Sequence, residues 1–350
     1  MAGEQARVQA NGAPWLLADV GGTNVRFALA QPAQAAPLLL DTMRAYRVAE
    51  FSSLSDAAKK YFAEIGRQPK HAVFALAGPV RGDEVQMTNF PWSISRPQLQ
   101  RDLDCSVQLV NDFAALVMGL PLLGPDDIVA LGPACAPILR SESNQTFCAM
   151  GPGTGLGVAA LAVRGDTMVG LETEGGHASF APVTDDEINV LRHLTGRFGR
   201  VSHERLLCGA GLSNLHQALA AMEGWKVDAL TPEEITARAN GREDALCVRS
   251  VEMFCEMLGS VAGDFALAYG AWDGVYLAAG GLLVPLHSWL RQPGFRRRFE
   301  NKGRFAAALA KVPVAMVTHP QAGLLGTAGI AVRLAGHALL RTTASWSAHA

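Results

Sequence analysis

LLADVGGTNVRFALA (residues 16–30) and TFCAMGPGTGLGVAALA (residues 146–162) follow one plan: an apolar strand, a glycine turn carrying a threonine, and a returning apolar strand. Thr23 and Thr154 hold equivalent places in the two copies. Glycine lets backbone N–H groups come close to an anion, and a run of such donors suits phosphate oxygens. One phosphate-sized hairpin used twice implies two halves whose hairpins face each other across a cleft.

Outward from the hairpins, strands and helices alternate, which points to α/β architecture. In the first half the pattern predicts strands over 15–20, 25–30, 39–48, 71–76 and 107–110, with helices over 54–65 and 113–120. Pro121 and the Gly/Pro-rich stretch around Gly124, Pro125, Gly132 and Pro133 mark the expected domain boundary. The second half predicts strands over 147–150, 156–163, 275–279 and 312–317. Helices are expected over 185–198, 203–222, 244–271 and 322–334. Thr231-Pro232-Glu233-Glu234 is a capping box with proline at the first helical position, so a short helix starts there.

At 350 residues two domains are the natural expectation. A formal net charge of −2 argues against nucleic acid or an anionic membrane as the main partner. Nothing at the N-terminus reads as a secretory signal, and the longest apolar run, 275–286, falls short of the roughly 20 residues that span a bilayer. Cys105, Cys135, Cys148, Cys208, Cys247 and Cys255 are scattered without a C-x-x-C pair, as expected of reduced thiols in a cytoplasm.

Four places carry candidate chemistry. In Asp19-Val20-Gly21-Gly22-Thr23-Asn24 a carboxylate ends an apolar strand and a glycine turn follows; Arg26 adds positive charge, and Asp19 suits Mg2+ directly or through water. Gly151 to Gly157 lacks the dinucleotide pattern, and no P-loop sequence occurs anywhere in the chain. Its likeness to the first hairpin favours a paired phosphate clamp. Asn111-Asp112 ends a strand and opens a helix. Asp112 is there either a helix cap or a general base for a hydroxyl attacking phosphorus. Glu174-Gly175-Gly176-His177 suits bidentate hydrogen bonding to a polyol, with a metal site as the alternative. Glu204 stands at the start of a predicted helix and carries no weight alone. Gly280-Gly281 either lets the backbone approach an adenine or ribose, or makes a tight turn.

Taken together these residues resemble the bacterial glucokinase family, of the type outside the ROK group, within the superfamily of sugar kinases, actin and Hsp70-type ATPases. The matching segments are LADVGGTNVRFAL (17–29), AGPV (77–80), MTNFPW (87–92), VNDFAA (110–115), GPGTGLGVA (151–159), EGGHASFAP (174–182), VSHERLLCG (201–209), LAAGGL (277–282) and AGLLGTAG (322–329). They run in family order over nearly the whole chain. The resemblance implies two ribonuclease-H-like, actin-like ATPase domains hinged around a cleft. Residues 14–121 with 322–340 would form the small domain and 122–321 the large one, with flexible ends at 1–13 and 341–350.

It further implies ATP-dependent phosphorylation of D-glucose at the 6-hydroxyl, the first step of glucose use in glycolysis. Asp112 would be the catalytic base, with Asn111, Glu174, His177 and Glu204 on the sugar. Asp19, Gly21, Gly22, Thr23 and Asn24, with Gly153, Thr154 and Gly155, would surround the ATP phosphates and Mg2+; Gly280 and Gly281 would lie beside the adenosine. A homodimer is usual in the family. ROK glucokinases carry a cysteine-rich zinc motif that this chain lacks, so no zinc is expected. Two departures flank the sugar residues: Leu171-Glu172-Thr173 stands where a proline is usual, and Cys208 replaces a common serine. Another hexose, another phosphoryl donor such as ADP or polyphosphate, and a non-catalytic sugar sensor are the alternatives.

Overall fold

The computed structural model describes residues 12–86, 92–133, 136–137, 139 and 144–339. Residues 1–11 and 341–350 of the expected flexible ends, residues 87–91 of the MTNFPW stretch and Cys135 lie outside this range.

Leu16, Ala18 and Val20 alternate with Leu17 along strand β1 (Trp15–Val20), and all four are fully buried. The period of two sends them to opposite faces. The first three join a core with Leu54, Ala57 and Tyr61, whereas Leu17 packs with Leu324, Ala328 and Ala331. Both faces of the sheet are therefore covered at this strand, which is why it reads as a near-continuous apolar run.

The other strands are β2 (Asn24–Ala30), β3 (Leu38–Arg47), β4 (His71–Leu76), β5 (Glu84–Gln86), β6 (Ser93–Ser95), β7 (Ser106–Asn111), β8 (Ile128–Ala130), β9 (Asn144–Pro152), β10 (Leu156–Arg164), β11 (Thr167–Thr173), β12 (Gly274–Ala278) and β13 (Val314–Val317). One sheet has the order β3-β2-β1-β4-β7 and the other β11-β10-β9-β12-β13-β8. In each, the first three strands form an antiparallel meander and the next two run parallel to its first strand. Strand β8 is an added antiparallel edge. The repeated plan seen in the hairpins thus extends to two whole sheets, an α/β fold with two actin-like ATPase halves.

The helices are α1 (Leu54–Ile65), α2 (Arg96–Leu103), α3 (Asp112–Gly119), α4 (Asp185–Phe198), α5 (Gly209–Met222), α6 (Pro232–Gly241), α7 (Ala245–Tyr269), α8 (His287–Leu290), α9 (Pro293–Glu300), α10 (Ala306–Leu309) and α11 (Ala322–Leu334). The capping box at Thr231 and Glu234 forms as expected: Glu234 N–H donates to Thr231 Oγ1 and Thr231 N–H to the Glu234 carboxylate. The helix expected from residue 203 starts only at Gly209. His203 N–H and Glu204 N–H are engaged by the carbonyls of Ala178 and Gly176, so this stretch turns against the segment after β11. Glu204 therefore sits on a turn and not in a helical first turn.

Each half lends a helix to the other. Helix α3 leaves the first sheet, yet Leu116, Val117 and Met118 pack with Phe147, Ala149 and Leu161 of the second. Helix α11 follows β13 of the second sheet, yet it lies on β1, β2 and β4 of the first. The two exchanged helices touch at backbone distance. A Cβ on Gly326 would come within 2.2 Å of the Ala115 carbonyl oxygen, and one on Gly329 within 2.2 Å of that of Met118. Any side chain there would wedge the two helices apart. Among the described residues no helix is long and apolar enough to cross a membrane, and the five cysteines are buried and unpaired.

Candidate active site

The parallel strands of each sheet end level with one another. Val20 is opposite Leu76, and Leu76 is opposite Asn111; in the other sheet Met150 pairs with Leu277 and Ala278 with Val317. Carboxyl ends of parallel strands are where open α/β sheets bind ligands. Asp19, the first glycine turn, Asn111-Asp112, the second glycine turn and Gly280-Gly281 all emerge from such ends.

Asn111 is buried and caps α3, accepting from the Ala114 N–H at 2.9 Å. Its amide donates to the Gly78 carbonyl and to Asp112 Oδ1, each at 3.1 Å. The Phe113 N–H also donates to Asp112 Oδ1, at 2.9 Å. Both bonds grip one oxygen. Among the described residues Oδ2 accepts no hydrogen bond. Burial pushes the Asp112 carboxyl from the ordinary 3.8 up to about 7; the Phe113 N–H pulls it down, and the negative charges of Asp19 and Glu174 push it up. The charges of Asp19 and Glu174 thus reach Asp112, although the three come from different elements. A carboxyl held near neutrality with one free oxygen has the character of a proton acceptor.

Beyond β11, a 3-10 turn presents Glu174 and His177 on one side. His177 Nε2 lies 3.8 Å from Glu174 Oε2, and His177 Nδ1 lies 3.9 Å from Glu204 Oε1. These three polar side chains, from two separate segments, are partly exposed and share a surface. The other Glu204 oxygen accepts from the Leu156 N–H at 2.9 Å, which ties the cluster to the second hairpin.

The two hairpins differ in their bracing. In the first, Gly21 N–H donates to the Asn24 carbonyl at 3.0 Å and Thr23 O accepts from Val48 N–H, while Thr23 and Asn24 stay exposed. Asp19 Oδ2 lies 3.4 Å from Arg26 Nη1; burial raises the Asp19 carboxyl, and Arg26 pulls it back. In the second, Gly153 N–H donates to the Gly155 carbonyl and Gly153 O accepts from Gly209 N–H, the first residue of α5. The positive end of α5 is thereby set beside the turn, a favourable place for phosphate. Gly280 and Gly281 are exposed, and a Cβ on Gly280 would lie 3.7 Å from the Pro152 carbonyl oxygen, next to the second hairpin. Among the described residues, no hydrogen bond or ion pair joins one hairpin to the other.

Among the described residues, no group of three or more His, Cys, Asp or Glu side chains is gathered for a metal ion. Mg2+ commonly takes one or two carboxylates, with phosphates and water supplying the rest. A single carboxylate, Asp19, with a part-exposed arginine and the start of α11 at Gly323 beside it, is compatible with that mode.

Reading the sequence alone missed three contributors. Glu172 on β11 accepts from the Val80 N–H at 3.0 Å, linking the loop after β4 to the other sheet. Cys208 caps α5, its Sγ accepting from the Gly211 N–H at 3.3 Å. Phe113 lays its ring on the base of the second hairpin. The first two were flagged only as departures from a pattern, and the third looked like any apolar helix residue.

The Glucokinase family model matches residues 16–334. The glucokinase of Xanthomonas campestris pv. campestris (strain B100) is 49% identical over 320 residues, covering 91% of this chain and 95% of that protein. A crystal structure of glucokinase from an Antarctic psychrotroph superposes with a TM-score of 0.80 at 33% identity, covering 91% of this chain and 98% of the other. A ROK family glucokinase from Streptomyces griseus, solved with glucose and AMPPNP, superposes with a TM-score of 0.59 at 17% identity, over 91% and 98% of the chains. The expectation that set this chain outside the ROK group is corrected by these matches. The fold is shared with a ROK enzyme. With the model match and nearly half-identical relatives spanning nine-tenths of its length, the chain belongs to the glucokinase family.

Proposed function

We propose that this protein transfers the γ-phosphoryl group of ATP to the 6-hydroxyl of D-glucose, with Asp112 as the base. One observation carries the reading of the site: a half-buried carboxylate with one oxygen pinned and the other free, within electrostatic reach of Asp19 and Glu174. In this reading Glu174, His177, Glu204 and Asn111 hold the sugar hydroxyls. Asp112 accepts the O6 proton as O6 bonds to the γ-phosphorus; the bond from that phosphorus to the β–γ bridging oxygen breaks, and ADP leaves with the electron pair. Phosphoryl transfer asks mainly for positioning and charge stabilisation.

The turns Gly21–Asn24 and 153–155 offer N–H groups and the Thr23 and Thr154 hydroxyls to the phosphates, and Gly280-Gly281 offers bare backbone to the adenosine. Asp19 would hold Mg2+, directly or through water, which when bound neutralises phosphate charge. The same reading assigns residues 14–121 with 322–340 to one domain, 122–321 to the other, and a cytoplasmic homodimer to the whole.

The test is glucose 6-phosphate formation from glucose and Mg-ATP, in the parent chain and in Asp112→Ala. Loss of the base should lower turnover by about 10²–10⁴-fold. Near-normal turnover in the variant would sink the assignment of Asp112. Activity with another hexose but not with glucose would change the substrate, and sugar binding without turnover would make the protein a sensor.

A further inference from the structure

Gly151 and Gly157 are directly paired across the β9–β10 ladder, one rung before the Pro152–Leu156 pair that closes the second hairpin. Two opposed glycines leave a patch of bare backbone, and the Phe113 ring occupies it. A Cβ on Gly157 would lie 1.9 Å from Phe113 Cε2 and 2.0 Å from Cδ2, and one on Gly151 would lie 2.8 Å from Cζ. Such distances are far inside van der Waals contact, so this surface admits the ring only because both positions are glycine.

Phe113 also donates its N–H to Asp112 Oδ1 and is the residue next to Asp112 in sequence. The aromatic plate and the carboxylate therefore belong to one short piece of backbone at the start of α3. That piece comes from the first sheet; the surface it rests on comes from the second.

We infer that Phe113 is a positioning residue, whose ring seated on Gly151 and Gly157 sets the Asp112 carboxylate against the 153–155 turn. The inference rests on the proposed role of Asp112 and adds to it how the base is registered on the phosphate side. A flat ring on bare backbone has one depth of seating, whereas a side chain packed among side chains can slide as they repack. Glu174, His177 and Glu204 hang from other segments, Glu204 meeting the hairpin at Leu156 N–H beside the seat rather than on it, and Asn111 is held by its own bonds to the Gly78 carbonyl and the Ala114 N–H. Loosening the seat should disturb the alignment of base, hydroxyl and phosphorus while leaving glucose affinity largely alone.

The experiment is a cycle of Phe113→Ala, Gly157→Ala and the double variant, with kcat and the KM values for glucose and ATP, and thermal melts to establish folding. Phe113→Ala should lose about 10–100-fold in kcat, since misplacement of about 1 Å has that scale of effect. Its KM for glucose should stay within about threefold. Gly157→Ala drives a methyl into the ring and should lose a similar amount in kcat. In the double variant the methyl meets no ring, so the losses should not multiply, and kcat should match that of Phe113→Ala.

A role in packing alone predicts otherwise: lowered melting temperatures with kcat within about threefold of normal, or losses that multiply in the double variant. Either result overturns the inference. If Phe113→Ala does not fold, Phe113→Met replaces it in the cycle, because a thread-like side chain fills volume without a flat face. Asp112→Ala, measured alongside, separates the two levels of the argument. An active Asp112→Ala removes the base assignment itself; an inactive one beside a normal Phe113→Ala removes only the positioning role.

Discussion

The first and second hairpins share a backbone plan and a place in their sheets, but they are wired differently. The first carries charge, with Asp19 beside Arg26 and an electrostatic reach to Asp112, and its hydrogen bonds stay within its own half. The second carries no ionisable side chain in its turn. It is instead the point at which three other segments meet: Glu204 on Leu156 N–H, the start of α5 on Gly153 O, and Phe113 on Gly151 and Gly157. A repeated motif has been divided into an electrostatic copy and a structural copy. The lesson is that equivalent glycines in the two turns are not equivalent in consequence.

The strongest way to break that comparison is to place the same methyl in both turns. On Gly155 a Cβ would lie 2.4 Å from Glu204 Oε2; on Gly21 the nearest atom would be the Asn24 carbonyl oxygen, at an ordinary 3.4 Å. Gly155→Ala should displace Glu204 and lower kcat/KM for glucose by about 100-fold, while Gly21→Ala should leave the glucose parameters within about threefold and act on KM for ATP. Equal effects on glucose would show that the copies are not divided in this way.

A second test sharpens the electrostatic side. Asp112 is pushed up to about 7, so the folded chain holds its proton more tightly than the unfolded chain does. Its contribution to stability is fully present below the ordinary 3.8 and is lost as pH rises through about 7. Asp112→Asn, which cannot ionise, should therefore be more stable than the parent by about 1–3 kcal/mol at about pH 8, and no more stable at about pH 4. Denaturant melts of the ligand-free chain at the two pH values measure the gap. A gap independent of pH would mean that Asp112 is not electrostatically strained. The same ionisation predicts that kcat/KM for glucose in the parent chain falls as pH drops through about 7, because the base must be unprotonated to accept a proton.

The smallest expected effect concerns the anchor of the second hairpin. Cys208 caps α5 through a long, weak bond from Gly211 N–H to sulfur. Cys208→Ser should raise stability by about 0.5 kcal/mol, read as a shifted denaturant midpoint at constant slope, with unchanged glucose kinetics. A loss of stability would mean that the buried thiol matters for its packing rather than as a cap.

How much of this was legible depends on the range of the forces involved. The strand ends with Asp19, Asn111 and Asp112 were readable because an apolar run followed by a polar pair or glycine turn is a local signal. The same holds for α6, whose capping box is written in four consecutive residues. Strand β11 was not anticipated: exposed Val169 and Leu171 alternate with Met168 and Gly170, and Gly170 faces α3, a partner distant in sequence. The helix expected from residue 203 began late because the N–H groups of His203 and Glu204 found carbonyls about 25 residues away.

By itself, the sequence determined the α/β alternation, the duplicated hairpin and the residue types that gather at strand ends, since each depends on periodicity or on neighbours within a few positions. The tertiary structure decided which helix covers which sheet, why Gly326 and Gly329 tolerate no side chain, how Glu204 reaches Leu156, and that Phe113 rests on Gly151 and Gly157. Those are questions of close approach between segments far apart along the chain. Close approach of two backbones leaves no trace in the local pattern of either partner.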